Sequence, residues 1–325
     1  IVNLLGKVRI RGHELHDGIK AGLTLLALWT VFVLFIITVI PVVTHEFENL
    51  GTISVEGVMS KLSGPVNDFG NVLREYGIIE RDRDVGEYIS EGLSSLVSVT
   101  KIRSIFDSLA GTISGICVAL FSITFISFFF LKDSRLFSGM VLAVLPSRFE
   151  EGGRNALDSI QNLLIRYFVG IIVEVIGVMT INTLGLLLIG FSFPNAILIG
   201  LISGILNVVP YIGPLIGIIF GVSVGIVLNI DMPFYTDLLP LLIYMIIVML
   251  FTQLIDNVVF QPFIYGNSVH AHPLEIFLVI LMAGNIAGVP GMILAIPAYT
   301  VLRVILREFF NKYKLVKKIT RSLDE

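Results

Sequence analysis

Glu174 stands about seven residues into an apolar run that begins at Tyr167, with Asn182 further along the same run. A carboxylate at the centre of a bilayer is costly, so such a residue is a functional-site candidate by default, here a candidate proton carrier. The alternative is a glutamate close enough to the headgroups to be hydrated. Gln253, Asp256 and Asn257 form a second cluster, and their spacings of three and four place them on one helix face. They are candidate ligands for a solute or an ion, or else a polar helix end at the headgroups, with Pro262 closing the helix. Asn207 and Asn285 each precede a proline break, "NVVPYIGP" in one case and "NIAGVP" in the other, and offer amide groups there.

The breaks themselves are chemically expressive. Pro210, Tyr211, Gly213 and Pro214 in the first, and Pro290 in the second, interrupt helices inside apolar sequence. Backbone N–H and C=O groups left unpaired in hydrocarbon cost several kcal/mol each, on the order of a lost hydrogen bond or more. Such a break is therefore either an extramembrane turn or a tip buried in protein or facing a water-filled cavity. Paired short segments interrupted by Gly and Pro are a sequence pointer to a transporter binding site. His270 and His272, in "VHAHP", have no third or fourth ligand nearby and read as loop residues, so no metal site is expected. No Walker A or HExxH pattern occurs, and the one GxSxG string, Gly221–Gly225 ("GVSVG"), lies within a continuous apolar run, which leaves hydrolase and ATPase machinery unsupported and an enzyme unexpected.

The elements that must position these residues follow from composition. The chain has 325 residues, 55% hydrophobic and 14% charged, with a mean hydropathy of +0.91. Soluble domains carry about 25% charged residues, so this is an integral membrane protein. No Lys or Arg occurs from Tyr167 to Leu302, and Glu174, Asp231, Asp237, Asp256 and Glu275 are the only acidic residues there. Cys117 is the single cysteine, so no intrachain disulfide forms, and it reads as a small apolar-segment residue. The chain begins at Ile1, and an upstream piece is expected.

Lys20–Val43 is the first expected span, preceded by Lys7, Arg9, Arg11 and Lys20, which put the N-terminal end in the cytoplasm. Thr44–Asp107 carries eleven acidic and six basic residues. Its apolar positions Val58, Leu62, Val66, Phe69, Leu73 and Tyr76 step by three and four, the mark of an amphipathic helix. A second such helix is expected over Ile89, Leu93 and Leu96. Together they predict an extracytoplasmic helical subdomain. Leu109–Leu131 returns, Leu136–Arg166 lies along the inner surface, Tyr167–Ile189 crosses outward, and Leu238–Gln261 is a further span. Between and after these come two short pairs, Asn195–Val209 with Leu215–Asn229 and His272–Ile286 with Gly291–Leu306.

The expected fold is thus an all-α integral membrane protein. It has about four full spans and two Gly/Pro-broken helical hairpins, either re-entrant or fully spanning, plus the small outer helical subdomain. Its divisions are residues 1–43, 44–107, 108–166, a transport core over 167–310, and a basic tail over 311–325. Seven basic residues from Arg303 to Arg321 place that tail in the cytoplasm, in contact with anionic lipid rather than nucleic acid. Gly213, Gly217, Gly221 and Gly225 recur every four residues after the first break, with Gly200 and Gly204 before it. This stripe reads as close helix packing, or as a sliding surface for a moving hairpin.

With these pieces in place, the sequence resembles the autoinducer-2 exporter family of bacterial membrane proteins, a family of predicted permeases. The resemblance runs from about Lys20 to Phe310. It rests on "VVPYIGPLIG" at Val208–Gly217, "DNVVFQPFIYG" at Asp256–Gly266 and "HPLEIFLVILMAGNIAGVPGMILAIP" at His272–Pro297, with "FFFLKDSR" and "VLPSRF" as weaker pieces. Family members carry a further hydrophobic segment or pair before the first span seen here. The resemblance implies a multi-span transporter of the bacterial cytoplasmic membrane, linked to quorum sensing through export of autoinducer-2, and in some members to Na+/H+ antiport. Asp256 and Asn257 match a position where the family often carries acidic and amide residues.

The leading expectation is a secondary exporter of a small polar solute working by alternating access. The two broken pairs would meet around a site lined by Asn207, Asn285 and the Gln253/Asp256/Asn257 face, with no cofactor beyond a coupling proton or Na+. A Na+/H+ antiporter using Glu174 and Asp256 is the second expectation, and a membrane scaffold with a partner-binding outer subdomain the third. Homo-oligomerisation is expected from the long apolar faces.

Overall fold

The structure is a computed structural model that describes residues 9–10, 13–14, 16–51, 55–76, 113–133, 135–266 and 272–310. The second outer helix expected over Ile89–Leu96, His270, the side chain of Cys117 and the tail over 311–325 lie outside the described residues. Within them the chain is helical, apart from a two-residue antiparallel ribbon pairing Arg9–Ile10 with His13–Glu14. The helices are α1 (Asp17–Gly51), α2 (Val55–Glu75), α3 (Ile113–Lys132), α4 (Leu136–Val144), α5 (Glu150–Leu188), α6 (Phe193–Leu206), α7 (Ile212–Leu228), α8 (Leu239–Ile255) and α9 (Pro273–Phe310). The protein is an all-α membrane protein. Four stretches among the described residues are long and apolar enough to cross a bilayer: Asp17–Glu46, Ser147–Leu188, Phe234–Ile264 and Leu274–Phe310.

One of the expected boundaries moves. The outward span does not start at Tyr167: α5 is continuous from Glu150, and its 39 residues make a rod of roughly 58 Å. Nothing between Arg154 and Leu188 forbids helix, so the charged first turns extend the span instead of turning away from it. The return span expected over Leu109–Leu131 is described only from Ile113, with Val118–Lys132 as its apolar stretch.

The chain divides into two compact units, one of residues 1–41, 102–162 and 300–325, the other of 42–101 and 163–299. In the first, the Trp29 indole donates to Thr124 Oγ1 at 3.2 Å, tying α1 to α3. Leu25, Phe32, Leu120 and Ile123 flank that contact in an apolar groove of about 260 Å3. Arg307 donates to Ser159 Oγ at 3.2 Å, and Phe149 packs edge-on against Phe309.

The second unit holds both broken hairpins. In the first, residues paired across the break are symmetric about Pro210: Gly217 lies beside Ser203, Gly221 beside Ile199, and Gly213 against Leu206 and Asn207. The second is drawn as the single helix α9, yet Ala287 and Gly288 have non-helical backbone. In a continuous helix Glu275 and Tyr299 would lie roughly 36 Å apart. The Tyr299 hydroxyl instead donates to Glu275 Oε2 at 3.1 Å, so the chain reverses there. Gly291 faces Ala283 and Gly284 faces Met292, nearly symmetric about Ala287. Both hairpins are as the proline breaks predict.

Glycines set the close approaches. Gly170, Gly177 and Gly185 on α5 receive Ile264, Phe260 and Val248 from α8 and the segment following it. Gly221 and Gly225 on α7 receive the thioethers of Met249 and Met245, so the stripe packs the hairpin against α8. The outer helix α2 is amphipathic as its periodicity predicts. Leu62 and Val66 are buried in a core cluster with Leu186, Phe191, Leu198 and Val224. Lys61 pairs with Asp231 and the Tyr235 hydroxyl donates to Asp68, fixing α2 to the connection after α7.

Candidate functional site

Close packing of α5 on α8 and of the first hairpin on α5 brings three helices' polar residues to one place. Glu174 on α5 is 2% exposed, Asp256 just past α8 is 0% exposed, and Asn207 at the end of α6 is 3% exposed. The Asn207 amide donates to Glu174 Oε1 at 2.8 Å. The Asp256 and Glu174 carboxyls are both buried and lie within electrostatic reach of one another. Glu174 Oε2 and Asp256 Oδ1 find no donor among the described residues.

Asp256 opens a π-helical segment, Asp256–Phe260, in which hydrogen bonds run from residue i to i+5. The wider turn folds Gln253 and Gln261 back onto the same two acceptors. Gln253 Nε2 donates to Asp256 Oδ2 and to Asn257 Oδ1, both at 3.2 Å. Gln261 Nε2 donates to the same pair, both at 2.9 Å. One carboxylate oxygen of Asp256 is thereby pinned by two neutral amides, and the other has no hydrogen-bond partner among the described residues. Asp256 is buried while Asn257 is exposed, so these residues form a polar track from the pair to the outside of α8.

Next to the pair, Asn182 Oδ1 accepts the Thr252 hydroxyl at 2.7 Å. Between these two and Asn207 lies a cavity with about 10 Å3 of room for the centre of a water-sized sphere, lined also by Ser203, Gly217, Met249 and Gln253.

The first break is held open by specific geometry. Tyr211 has φ +66° and ψ −51°, and Ile212 N–H donates to the Pro210 carbonyl at 2.8 Å. This is a γ-turn of the rare positive-φ kind. Gly213 follows because a Cβ there would sit 1.9 Å from the Leu206 carbonyl oxygen. The Tyr211 ring packs edge-on against Phe277 at 5.8 Å between centroids.

Of the residues singled out in the sequence, Glu174, Asn207, Gln253, Asp256 and Asn257 come together. Pro210, Tyr211, Gly213 and Pro214 form the adjoining tip, with Pro214 on the cavity wall. Asn285 and Pro290 are exposed at the second tip, where Ile286 is 86% exposed, and neither belongs to the cluster. The two broken pairs do pack together, Val209 and Ile212 of the first sharing an apolar cluster with Ile276, Ile280 and Ile296 of the second, but Asn285 stands apart from the polar residues. The first tip meets Phe277, near the start of α9 and about 15 Å of helix before Ala287. Gln261, Thr252 and Ser203 went unread in the sequence. Gln261 lies five residues after Asp256, a spacing that faces it only in a π-turn.

Residues 8–311 match the family model described as AI-2E family transporter. The chain belongs to the AI-2E transporter family. It is similar to "Putative transport protein YueF" of Bacillus subtilis (strain 168), 26% identical over 281 residues that make up 82% of this chain and 72% of YueF. It is also similar to "Putative transport protein YrrI" of the same organism, 30% identical over 212 residues, 63% of this chain and 56% of YrrI. A third relative, "Putative transport protein MJ1177" of Methanocaldococcus jannaschii, is 22% identical over 274 residues, 84% of this chain and 75% of that protein. This AI-2E family member is accordingly a multi-pass membrane transporter. Its polar cluster sits in the segment 167–302, which contains no Lys or Arg.

Proposed function

We propose that the protein is a secondary transporter energised by a proton or Na+ held at Glu174 and Asp256. It exports a small polar solute of autoinducer-2 type by alternating access. The observation that carries this reading is two buried carboxyls, brought by different helices within electrostatic reach of one another in a segment without Lys or Arg. A proton or cation satisfies the pair. Its release leaves two buried like charges near one another, which drives the helices apart. Asn207 ties the first hairpin to Glu174 and so transmits that repulsion to the tip at Pro210–Pro214. The setting is the bacterial cytoplasmic membrane with both ends of the chain cytoplasmic, and the long exposed apolar faces of α1 and α5 suit a homo-oligomer or lipid.

Na+/H+ antiport is the second reading, favoured by the size of the cavity beside the pair. At about 10 Å3 it takes one water-sized particle, far short of a furanone. Under this reading proton and Na+ exchange at the pair and are themselves the cargo. Purified protein in proteoliposomes separates the two. Solute efflux driven by an imposed pH gradient and lost in Asp256→Asn supports export. Na+-dependent proton flux without solute, also lost in Asp256→Asn, supports antiport. No flux of any kind, with function lost on deleting residues 44–107, returns the scaffold reading.

A further inference from the structure

Ser203 is nine-tenths buried and its hydroxyl has no hydrogen-bond partner among the described residues. It sits on the wall of the small cavity, opposite Asn182 and Thr252. The other polar walls are Asn207 and Gln253. Each of these amides donates to one member of the carboxyl pair, Asn207 to Glu174 and Gln253 to Asp256. The cavity is thus bordered by the two amides that hold the pair, and by a hydroxyl that lacks a partner. Its room matches one water molecule, which needs about 10–15 Å3 on this measure and two to four polar partners. All polar walls are neutral, which suits water better than a bare cation, since a cation requires anionic or many convergent oxygen ligands.

We propose that this cavity is a binding site for a single water molecule, held by Ser203 Oγ and the amides of Asn207 and Gln253. The water completes the hydrogen bonding of Ser203 and bridges the end of α6 to α8. Its positioning role, keeping both amides aimed at Glu174 and Asp256, rests on the ion-coupled reading above. The water site itself does not.

Radiolytic labelling of the full chain in lipid nanodiscs tests it, because hydroxyl radicals formed from a bound water oxidise the nearest side chain. Met249 lines the cavity and Met245 does not, yet both are buried and both seat on glycines of α7. The pair is a matched probe and control. In H2 18O, Met249 is expected to take up labelled oxygen at least fivefold faster than Met245. Gly217→Ala provides the displacement, since its methyl group meets Ser203 at 3.5–3.6 Å, ordinary contact, on the cavity wall. It is expected to lower Met249 labelling to the Met245 level with the elution profile unchanged. Equal labelling of Met249 and Met245 in the unaltered protein overturns the water site, whatever the variant does. Labelling of Met249 that persists in a folded Gly217→Ala protein overturns it equally. Proton flux in proteoliposomes decides the positioning role, with at least a fivefold slowing expected in Gly217→Ala. Water lost with flux unchanged overturns that role alone. If the unaltered protein carries no coupled flux, the ion-coupled reading falls while the labelling still decides the site.

Discussion

The two broken hairpins are alike in sequence and opposite in setting. Each reverses through a residue of positive φ, Tyr211 in the first and Gly288 in the second, and each needs a glycine just beyond. The first tip is mostly covered: Asn207, Val209, Pro210 and Gly213 are buried and Tyr211 is exposed, and Asn207 reaches Glu174. At the second tip, residues 285–290 are all exposed. The positive φ falls on a tyrosine only where neighbours enforce it, through the Ile212–Pro210 hydrogen bond and the Phe277 ring. Strain of this kind, of order 1–3 kcal/mol, persists where surroundings over-determine the backbone, and it gathers at functional sites. Break geometry alone therefore does not mark a site. Burial beside a titratable partner does.

The largest expected effect bears on what the hairpins share. Gly213→Ala puts a Cβ 1.9 Å from the Leu206 carbonyl oxygen, and Gly291→Ala puts one 2.2 Å from that of Ala283. Backbone must move in both, so each should lose about 3 kcal/mol or more and give little folded protein on size-exclusion chromatography. A tolerated change at one and not the other would end the likeness of the two turns. Next comes the function of the buried tip. Glu174→Gln and Asp256→Asn should each cut coupled flux at least tenfold while the thermal midpoint in detergent holds or rises, since a neutral amide replaces a buried carboxylate. Full flux in either variant would remove the carboxyl pair from the mechanism.

The asparagines sharpen the contrast further. Asn207→Ala leaves Glu174 Oε1 without its donor and should cost about 1–3 kcal/mol, read as a lower unfolding midpoint. Asn285→Ala, on an exposed tip, should stay within about 0.5 kcal/mol. Equal costs would mean that the second tip is covered in the membrane. The positive-φ positions test the turns themselves. Tyr211→Gly relieves about 1–2 kcal/mol of backbone strain but loses a ring contact of about 0.5–1.5 kcal/mol, so its stability should change by less than about 1 kcal/mol. Gly288→Ala, in open space, should cost about 1–2 kcal/mol from its φ of +61° alone.

Much of this was legible. Steps of three and four predicted α2 and its buried Leu62 and Val66, because burying one helix face imposes that period whatever lies opposite. The proline breaks predicted both reversals, because proline removes a helical N–H wherever it stands. The length of α5 was misjudged, since Arg154 and Arg166 say where hydrocarbon ends but not where helix does. Gln261 stands four residues after Asn257, a helical spacing that ties it to the cluster, and the π-turn adds its bond to Asp256 five residues back.

By itself the sequence determined the solvent, the helices, the breaks and the cost of each buried charge, since these depend on composition and local chain geometry. It left open which polar residues share a site. Glu174, Asn207 and Asp256 are 33 and 49 residues apart in turn, and no periodicity links such distances. Their meeting was decided by glycines that let three helices close to backbone contact, Gly177 against Phe260 and Gly204 against the Val175 carbonyl. The same packing left Asn285 outside, although its local sequence resembles that of Asn207. Local sequence supplies the groups, and only close packing of distant segments selects which of them must neutralise one another.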